Sequence, residues 1–316
     1  MFEKIISKIE QYDSIVIFGH LNPDGDCYGS QIALKAILKE QYPNKKIYAI
    51  GSGLKSFYRL LGQMDKVSLE TIKTSLAVVL DSNDLPRLED QRVVNALDFC
   101  KIDHHIDTFT FKEGPEVIDD KATSTSELIY DMAKENSFDI PKVAAMALYL
   151  GIFTDTARFQ YANNYIKMFR ILEDLCALGA EPKSISAILN VTKSRYLDIK
   201  SFIYQNVKKD SDGILYVVIN DKQRRRINAT NFEITCNTSL LAHVEGYPIW
   251  FISCATESGG LQTEIRANGY DVQKIAIAFG GGGHKYAAGF TVKEYSEDVI
   301  NRLLELCKET LKKGKE

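Results

Sequence analysis

The sequence has no apolar run long enough to cross a bilayer. Its longest, Val143 to Phe153, falls well short of the roughly 20 residues that a helical span needs. No Cys-x-x-Cys pair occurs among the six cysteines, Cys27, Cys100, Cys176, Cys236, Cys254 and Cys307. That scatter argues against both a zinc ribbon and a disulfide framework, and it suits a reducing compartment. The opening MFEKIISKIEQYDS carries acids and lacks a small-residue cleavage site after an apolar core. It does not read as a signal peptide, so a cytoplasmic protein is expected. There is no internal repeat, no low-complexity tract and no Gly/Ser-rich linker. Nor is there an excess of positive charge: the formal net charge is −3, which counts against a protein that coats long nucleic acid.

What the chain does have is an ordinary globular composition, 45% hydrophobic and 26% charged over 316 residues, enough for two domains with cores of their own. Residues 187–316 carry 18 Lys+Arg against 15 Asp+Glu, a net of +3, which leaves −6 for residues 1–186. An acidic lobe beside a mildly basic one suits metal ions in the first and an anionic ligand gripped by the second.

Short, apolar, mostly β-branched runs at Ser14–Phe18, Lys46–Ile50, Leu76–Leu80 and Phe99–Ile102 read as buried strands. Helical patterns lie between them, including Ser30–Glu40 and a helix near Ser124–Lys134 announced by Ser124 and Glu127 in capping-box spacing. Strands alternating with helices imply a mostly parallel sheet with helices on both faces. Further strands are expected at 213–220, 248–254 and 260–267, with a closing helix from about Ser296 to Lys312. The expected organisation is therefore α/β throughout: residues 1–186 as a catalytic domain, 187–205 as a helical connector, drawn from a helical stretch near 182–207, and 206–316 as a smaller α/β domain, with a cleft between the two.

In an open parallel sheet the C-terminal strand ends share one edge, and ligands bind there. The first strand runs into Gly19-His20-Leu21-Asn22-Pro23-Asp24-Gly25-Asp26, the third into Asp81, and the fourth into Asp103-His104-His105. A further acid, Asp155, follows the apolar helix at 143–153. A single Asp at a strand end is most often a turn former, and Asn-Pro-Asp-Gly is itself a strong turn sequence. Turn formation does not call for histidine, however, and three of the five histidines sit on this edge. Mixed imidazole and carboxylate donors favour Mn²⁺, Fe²⁺, Co²⁺ or Zn²⁺ over Mg²⁺ or Ca²⁺. Cys27 follows Asp26 directly but has no soft partner nearby in sequence. Eight candidates, five of them carboxylates, are too many for one ion and suit two, and a two-metal centre suits phosphoester hydrolysis.

The second half supplies Gly280-Gly281-Gly282-Gly283-His284-Lys285. If a helix or turn begins there, the glycine amides form an anion-binding nest, to which His284 and Lys285 add donors. Arg266 ends an apparent strand, where it could pair with a phosphate through both edges of its fork. Arg224-Arg225-Arg226 reads as a solvated face, and His243, between apolar neighbours, as a structural histidine.

Taken together, His20-x-Asn-Pro-Asp24-Gly-Asp26, Asp81, Asp103-His104-His105 and Asp155 resemble the four ordered motifs of the DHH phosphoesterase superfamily. Gly280–His284 with Ala287-Ala288-Gly289-Phe290 resembles the first type of DHH-associated C-terminal domain, so the resemblance spans nearly the whole chain. It is nearest to the two-domain nano-RNase and pAp phosphatase subgroup, with pApA and cyclic di-AMP hydrolases next. The resemblance implies a pair of manganese ions, one on His20, Asp24 and Asp81, the other on Asp26, Asp81, His104 and Asp155, with Asp81 bridging. It implies that His105 faces the scissile phosphate, that Asp103 orients the histidines, and that Arg266, Gly282, Gly283 and His284 contact substrate. The expected activity is hydrolysis of short oligoribonucleotides to mononucleotides and of pAp to AMP, on substrates that are short RNA, dinucleotides or pAp, in a chain that forms a homodimer. A pApA or cyclic di-AMP phosphodiesterase is the alternative, and a non-catalytic nucleotide sensor a weaker one. Ala157 stands where relatives often have glycine.

Overall fold

The computed structural model of the protein describes residues 1–82, 84–105 and 113–314, and the chain divides into two compact units, Met1–Val191 and Thr192–Glu316. In the first unit, strands β1 (Ser14–Phe18), β2 (Lys46–Ala49), β3 (Leu76–Leu80), β4 (Asp98–Asp103) and β5 (Glu116–Ile118) form one sheet in the order β2-β1-β3-β4-β5. Every pairing is parallel, so the C-terminal ends of all five strands lie along one edge. Strand β5 escapes sequence reading because three residues following Pro115 carry no usable period.

The helices of this unit are α1 (Glu3–Gln11), α2 (Gly25–Gln41), α3 (Tyr58–Leu61), α4 (Leu69–Lys73), α5 (Thr125–Glu135), α6 (Lys142–Asp155), α7 (Tyr165–Ala177) and α8 (Pro182–Leu189). Alternation along the strands divides the apolar side chains between two cores. Ile15, Ile17, Val78, Leu80, Cys100 and Ile102 join α2, α5 and α6 in the larger one. Val16, Phe18, Ala77, Val79 and Phe99 face a smaller one, closed by Ile72 of α4 and by Leu88, Val93 and Ala96.

Helices α2 and α6 touch backbone to backbone. A Cβ on Gly29 would lie 2.4 Å from Ala147 O, and one on Gly25 would lie 2.2 Å from Thr154 Oγ1. Every residue of α6 from Ala144 to Phe153 is buried, so the longest apolar run of the sequence is a core helix. Among the described residues no helix is long and apolar enough to cross a membrane.

Two boundaries differ from the sequence reading. Helix α2 begins at Gly25, not Ser30, because Asp24 acts as its N-cap: the carboxylate accepts from the N–H groups of Asp26 and Cys27. The turn signal in Asn-Pro-Asp-Gly is thus the helix start, and Asp26 sits in the first turn. The helical stretch expected at 182–207 is two helices, α8 and α9 (Ser194–Gln205), separated by residues 190–193.

The second unit adds α10 (Asp221–Arg226), α11 (Asn231–Thr235), α12 (Gln273–Ala278) and α13 (Glu297–Lys313) around six strands. These are β6 (Lys208–Lys209), β7 (Ile214–Ile219), β8 (Ile249–Ala255), β9 (Leu261–Ala267), β10 (Gly282–His284) and β11 (Ala287–Val292), ordered β10-β11-β9-β8-β7-β6. Only the β7–β8 pair is parallel. One face packs on α9 through Ile199, Phe202 and Ile203, the other on α12 and α13 through Ile275, Leu303 and Cys307.

Candidate metal centre

Seven of the eight candidate ligands reach one place because the parallel sheet delivers them there, and α6 supplies the eighth. His20 follows β1, Asp81 follows β3, Asp103 ends β4, and His104 and His105 follow it; Asp24 caps α2, Asp26 lies in its first turn, and Asp155 closes α6. Asp81 leaves β3 in left-handed backbone, with φ 54°. A non-glycine residue in that region is uncommon and is found where function demands it. Its position is held by its own N–H, which donates to Ile102 O, and by Thr125 Oγ1, which donates to its carboxylate at 3.1 Å.

The two carboxylate oxygens of Asp81 face different histidines. Oδ2 lies 3.5 Å from His20 Nε2, while Oδ1 lies 3.6 Å from His104 Nε2 and 3.6 Å from His105 Nδ1. His20 Nε2 is also 3.8 Å from Asp24 Oδ1. His104 Nε2 is 3.5 Å from Asp155 Oδ2 and 4.0 Å from Asp26 Oδ2. These gaps are too wide for good hydrogen bonds. They are close to the spacing of donors that share a cation, since two atoms each roughly 2.1 Å from one ion stand about 3.0–3.6 Å apart.

The histidines are oriented for the same purpose. His20 Nδ1 donates to Leu21 O at 3.0 Å, which turns its Nε2 toward the carboxylates, the usual arrangement of a ligating imidazole; His104 Nε2 also faces them. Burial holds the His104 pKa below the ordinary histidine value, favouring the neutral ring that binds metal. Asp26 lies across the start of α5, where its oxygens accept from Thr125 N–H at 2.7 Å and Ser126 N–H at 2.9 Å. This gives Ser124 and Glu127 a further meaning. Ser124 caps α5 as expected, but Glu127 reaches back to the N–H of Thr123 rather than of Ser124.

The charge balance is unfavourable without cations. Burial and the nearby Asp81 and Asp155 raise Asp26 well above the usual carboxylate range. Burial, Asp81 and Asp24 push Asp155 up to about 7. Four carboxylates and two aimed imidazoles so close together fit divalent cations. Cys27 Sγ comes within ligand distance of His20 and Asp81, but burial pushes its pKa up to about 12. It accepts the N–H of His20 at 3.2 Å, and it stays a thiol.

Asp103 orients one histidine rather than both. Its Oδ1 accepts from the backbone N–H of His105 at 3.1 Å and from His105 Nδ1 at 2.8 Å, which leaves Nε2 as the outward nitrogen. After Asp155 the chain turns through three consecutive left-handed residues, Ala157, Arg158 and Phe159. Glycine would be at ease at the first of these, which gives the substitution at Ala157 a physical setting.

The second-half candidates all lie in the second unit. Gly282, Gly283 and His284 are exposed and form β10, a strand paired antiparallel with β11. No helix begins at the glycine run; of the helix or turn expected there, the structure has turns on either side of a hairpin strand. Its glycines differ in what they serve. A Cβ on Gly283 would lie 2.6 Å from Ala287 O, and Gly283 has φ 131°, whereas a Cβ on Gly282 would meet nothing within 4 Å. Arg266 lies in β9, half-buried, and Nη1 donates to Glu264 Oε2, Ile265 O and Ala288 O at 3.1, 2.9 and 3.1 Å. Two other readings are corrected. Arg224 is buried, with Nη2 2.6 Å from Asp221 Oδ1, because α10 turns that side chain inward; Arg225 and Arg226 are exposed. His243 is exposed in a left-handed turn, φ 60°, rather than packed among its apolar neighbours.

Residues 14–152 match the DHH family, N-terminal domain, and residues 203–313 match the DHHA1 domain. A Mycoplasma genitalium protein named bifunctional oligoribonuclease and PAP phosphatase NrnA is 32% identical, the alignment covering 94% of each chain. A Bacillus subtilis protein of the same name is 31% identical over 98% of this chain and 99% of its own. Among solved structures, an exopolyphosphatase-related protein from Bacteroides fragilis superposes with a TM-score of 0.87, at 22% identity over 98% of this chain and 96% of that one, which shows a shared fold.

Proposed function

Because the chain belongs to the DHH family, with a DHHA1 domain following the DHH domain in sequence, we propose that it is a two-metal phosphoesterase. It degrades very short oligoribonucleotides to mononucleotides and removes the 3′-phosphate of pAp to leave AMP. The observation that carries this reading is Asp81, whose two oxygens address His20 on one side and His104 on the other. The substrates follow the relatives' names, which join an oligoribonuclease to a PAP phosphatase over nearly the full chain.

In this reading His20, Asp24 and Asp81 hold one ion, and Asp26, Asp81, His104 and Asp155 hold the other. The metal is divalent, and we assign manganese. Bound there, the pair supplies Lewis acidity toward the phosphoryl oxygens and lowers the pKa of an attacking water. The remaining work falls to side chains. His105, fixed through Nδ1 by Asp103, offers Nε2 to the scissile phosphate and can hold a proton for the departing oxygen. Arg266 has Nη1 fully engaged, so its Nε and Nη2 edge is presented for a bidentate grip on a phosphate. Gly282, whose side-chain position is open, lets a nucleotide approach the backbone, and Gly283 and His284 complete the contact.

One site serves both reactions, because each substrate presents a phosphoester beside a nucleotide to be held. We assign catalysis to residues 1–186 and nucleotide binding to residues 206–316, joined by 187–205. The work is placed in the cytoplasm, with a homodimer as the assembly. The exposed apolar side chains of Tyr161, Ile166 and Phe169 support self-association. The complete set of ligands argues against a non-catalytic sensor.

The deciding experiment is a turnover profile with Mn²⁺ across mixed-sequence RNA dimers to pentamers, pAp, pApA and cyclic di-AMP. Comparable turnover of short RNAs of different sequence, with pAp hydrolysed alongside, is expected. Turnover confined to pApA or cyclic di-AMP, or none at all, contradicts the reading.

A further inference from the structure

Strand β4 buries two charged side chains, Lys101 and Asp103, each with 0% of its surface exposed. Residues two apart in a strand point to the same face, so their proximity follows from the sequence. A lysine at this position does not, because Phe99, two residues earlier on that face, packs among apolar neighbours. Lysine is almost never fully buried unless it is paired.

Lys101 Nζ stands 3.5 Å from Asp103 Oδ2. That oxygen is enclosed and accepts no hydrogen bond from the described residues, whereas Oδ1 accepts two from His105. The carboxylate is therefore divided, one oxygen holding the imidazole and the other facing an ammonium. Without the ammonium no cation among the described residues would restrain Oδ2, and the group could swing about its terminal torsion, which is soft.

We propose that Lys101 is a positioning residue for the hydrolysis: it anchors Asp103, which in turn fixes the His105 ring with Nε2 outward. The inference rests on the role given above to His105. Lys101 acts through Asp103 and makes no contact with substrate.

Lys101→Met removes the charge while keeping a long apolar stem. It is expected to lower kcat about 10–100-fold, the usual effect of removing a supporting partner of a working side chain. KM and Mn²⁺ affinity by calorimetry should change less than about twofold. On an Asp103→Asn background the same change should cost less than about twofold more, because the intermediary is already disabled. In the metal-free protein, ¹⁵N spectra should show a single His105 tautomer with Lys101 present and a mixture without it.

Wild-type kcat in Lys101→Met, or a loss that repeats in full on Asp103→Asn, overturns the proposal. Should Lys101→Met fail to fold, the double variant decides, since Asp103→Asn removes the carboxylate charge that the relay runs through. Matching kcat with Asp103→Asn supports the relay, and a further tenfold fall rejects it. Failure of the underlying reading looks different: His105→Ala would then retain full kcat whatever stands at position 101.

Discussion

Asp81 combines a strained backbone, φ 54°, with a carboxylate addressed to two histidines, and substitution there should remove both cation sites at once. Asp81→Ala is expected to lower kcat by several orders of magnitude and to abolish tight Mn²⁺ binding by calorimetry. Retention of more than about a tenth of the wild-type rate would contradict its bridging role. In the second unit, neighbouring glycines separate fold from function. Gly282→Ala should leave Tm unchanged, because its Cβ meets nothing within 4 Å, while raising KM more than it lowers kcat. Gly283→Ala should instead destabilise the protein by about 1–3 kcal/mol through left-handed backbone and a steric clash. Thermal melts of the two variants, read beside their kinetics, check this. The histidines were legible in the sequence because imidazoles are not called for in turns, and the acids, each an ordinary turn former alone, were legible because they share a strand edge with those histidines. Lys101 was not, because one charge in a short apolar run reads as noise until its burial is known.

Helices α2, α5 and α6 converge on Asp26. Its carboxylate lies on the first N–H groups of α5, and a Cβ on Gly151 of α6 would fall 1.9 Å from Ser126 Oγ and 2.6 Å from Asp26 Oδ1. Gly151→Ala is therefore expected to cost about 1–3 kcal/mol of overpacking and to weaken Mn²⁺ binding as well. Calorimetry and a denaturant melt on the same preparation test it, and an unchanged affinity would show that Asp26 is not held by this packing. Periodicity placed strands β1, β3 and β4 within a residue of their ends, because a buried parallel strand is a short apolar block with turn signals on both sides. It missed the first turn of α2, where a helix start and a tight turn share the sequence Asn-Pro-Asp-Gly. It also joined α8 to α9, since the four residues between them contain neither proline nor glycine. Of the two settings open to the glycine run, a helix or a turn, composition could not choose, because a glycine-rich edge strand beside a turn has the same composition as a helix start.

Across the whole molecule, crowded carboxylates link stability to both pH and metal. Burial, Asp81 and Asp24 push the Asp155 carboxyl up to about 7 in the absence of metal. A carboxyl raised on folding favours the folded state while protonated. Its contribution is full below the ordinary carboxylate value and is lost as pH rises through about 7. The metal-free protein should thus lose this stabilisation between roughly pH 4 and 8, and the gain in Tm on adding Mn²⁺ should grow over the same range, because binding requires the ionised form. A Mn²⁺-induced shift that is flat or shrinks with rising pH would contradict this. The α/β layering and the shared strand edge could be read from the alternation of elements, since parallel connection dictates both. The detailed faces of the second unit could not, because a mixed sheet of short strands is fixed by pairings distant in sequence.

Anomalous diffraction from Mn²⁺-soaked crystals tests the central claim most directly. Two peaks roughly 3.5–4 Å apart, one beside His20 and Asp24 and the other beside His104 and Asp155, with the Asp81 carboxylate between them, are expected. A map with no peak among these residues, in a protein that still hydrolyses its substrates, would contradict the account.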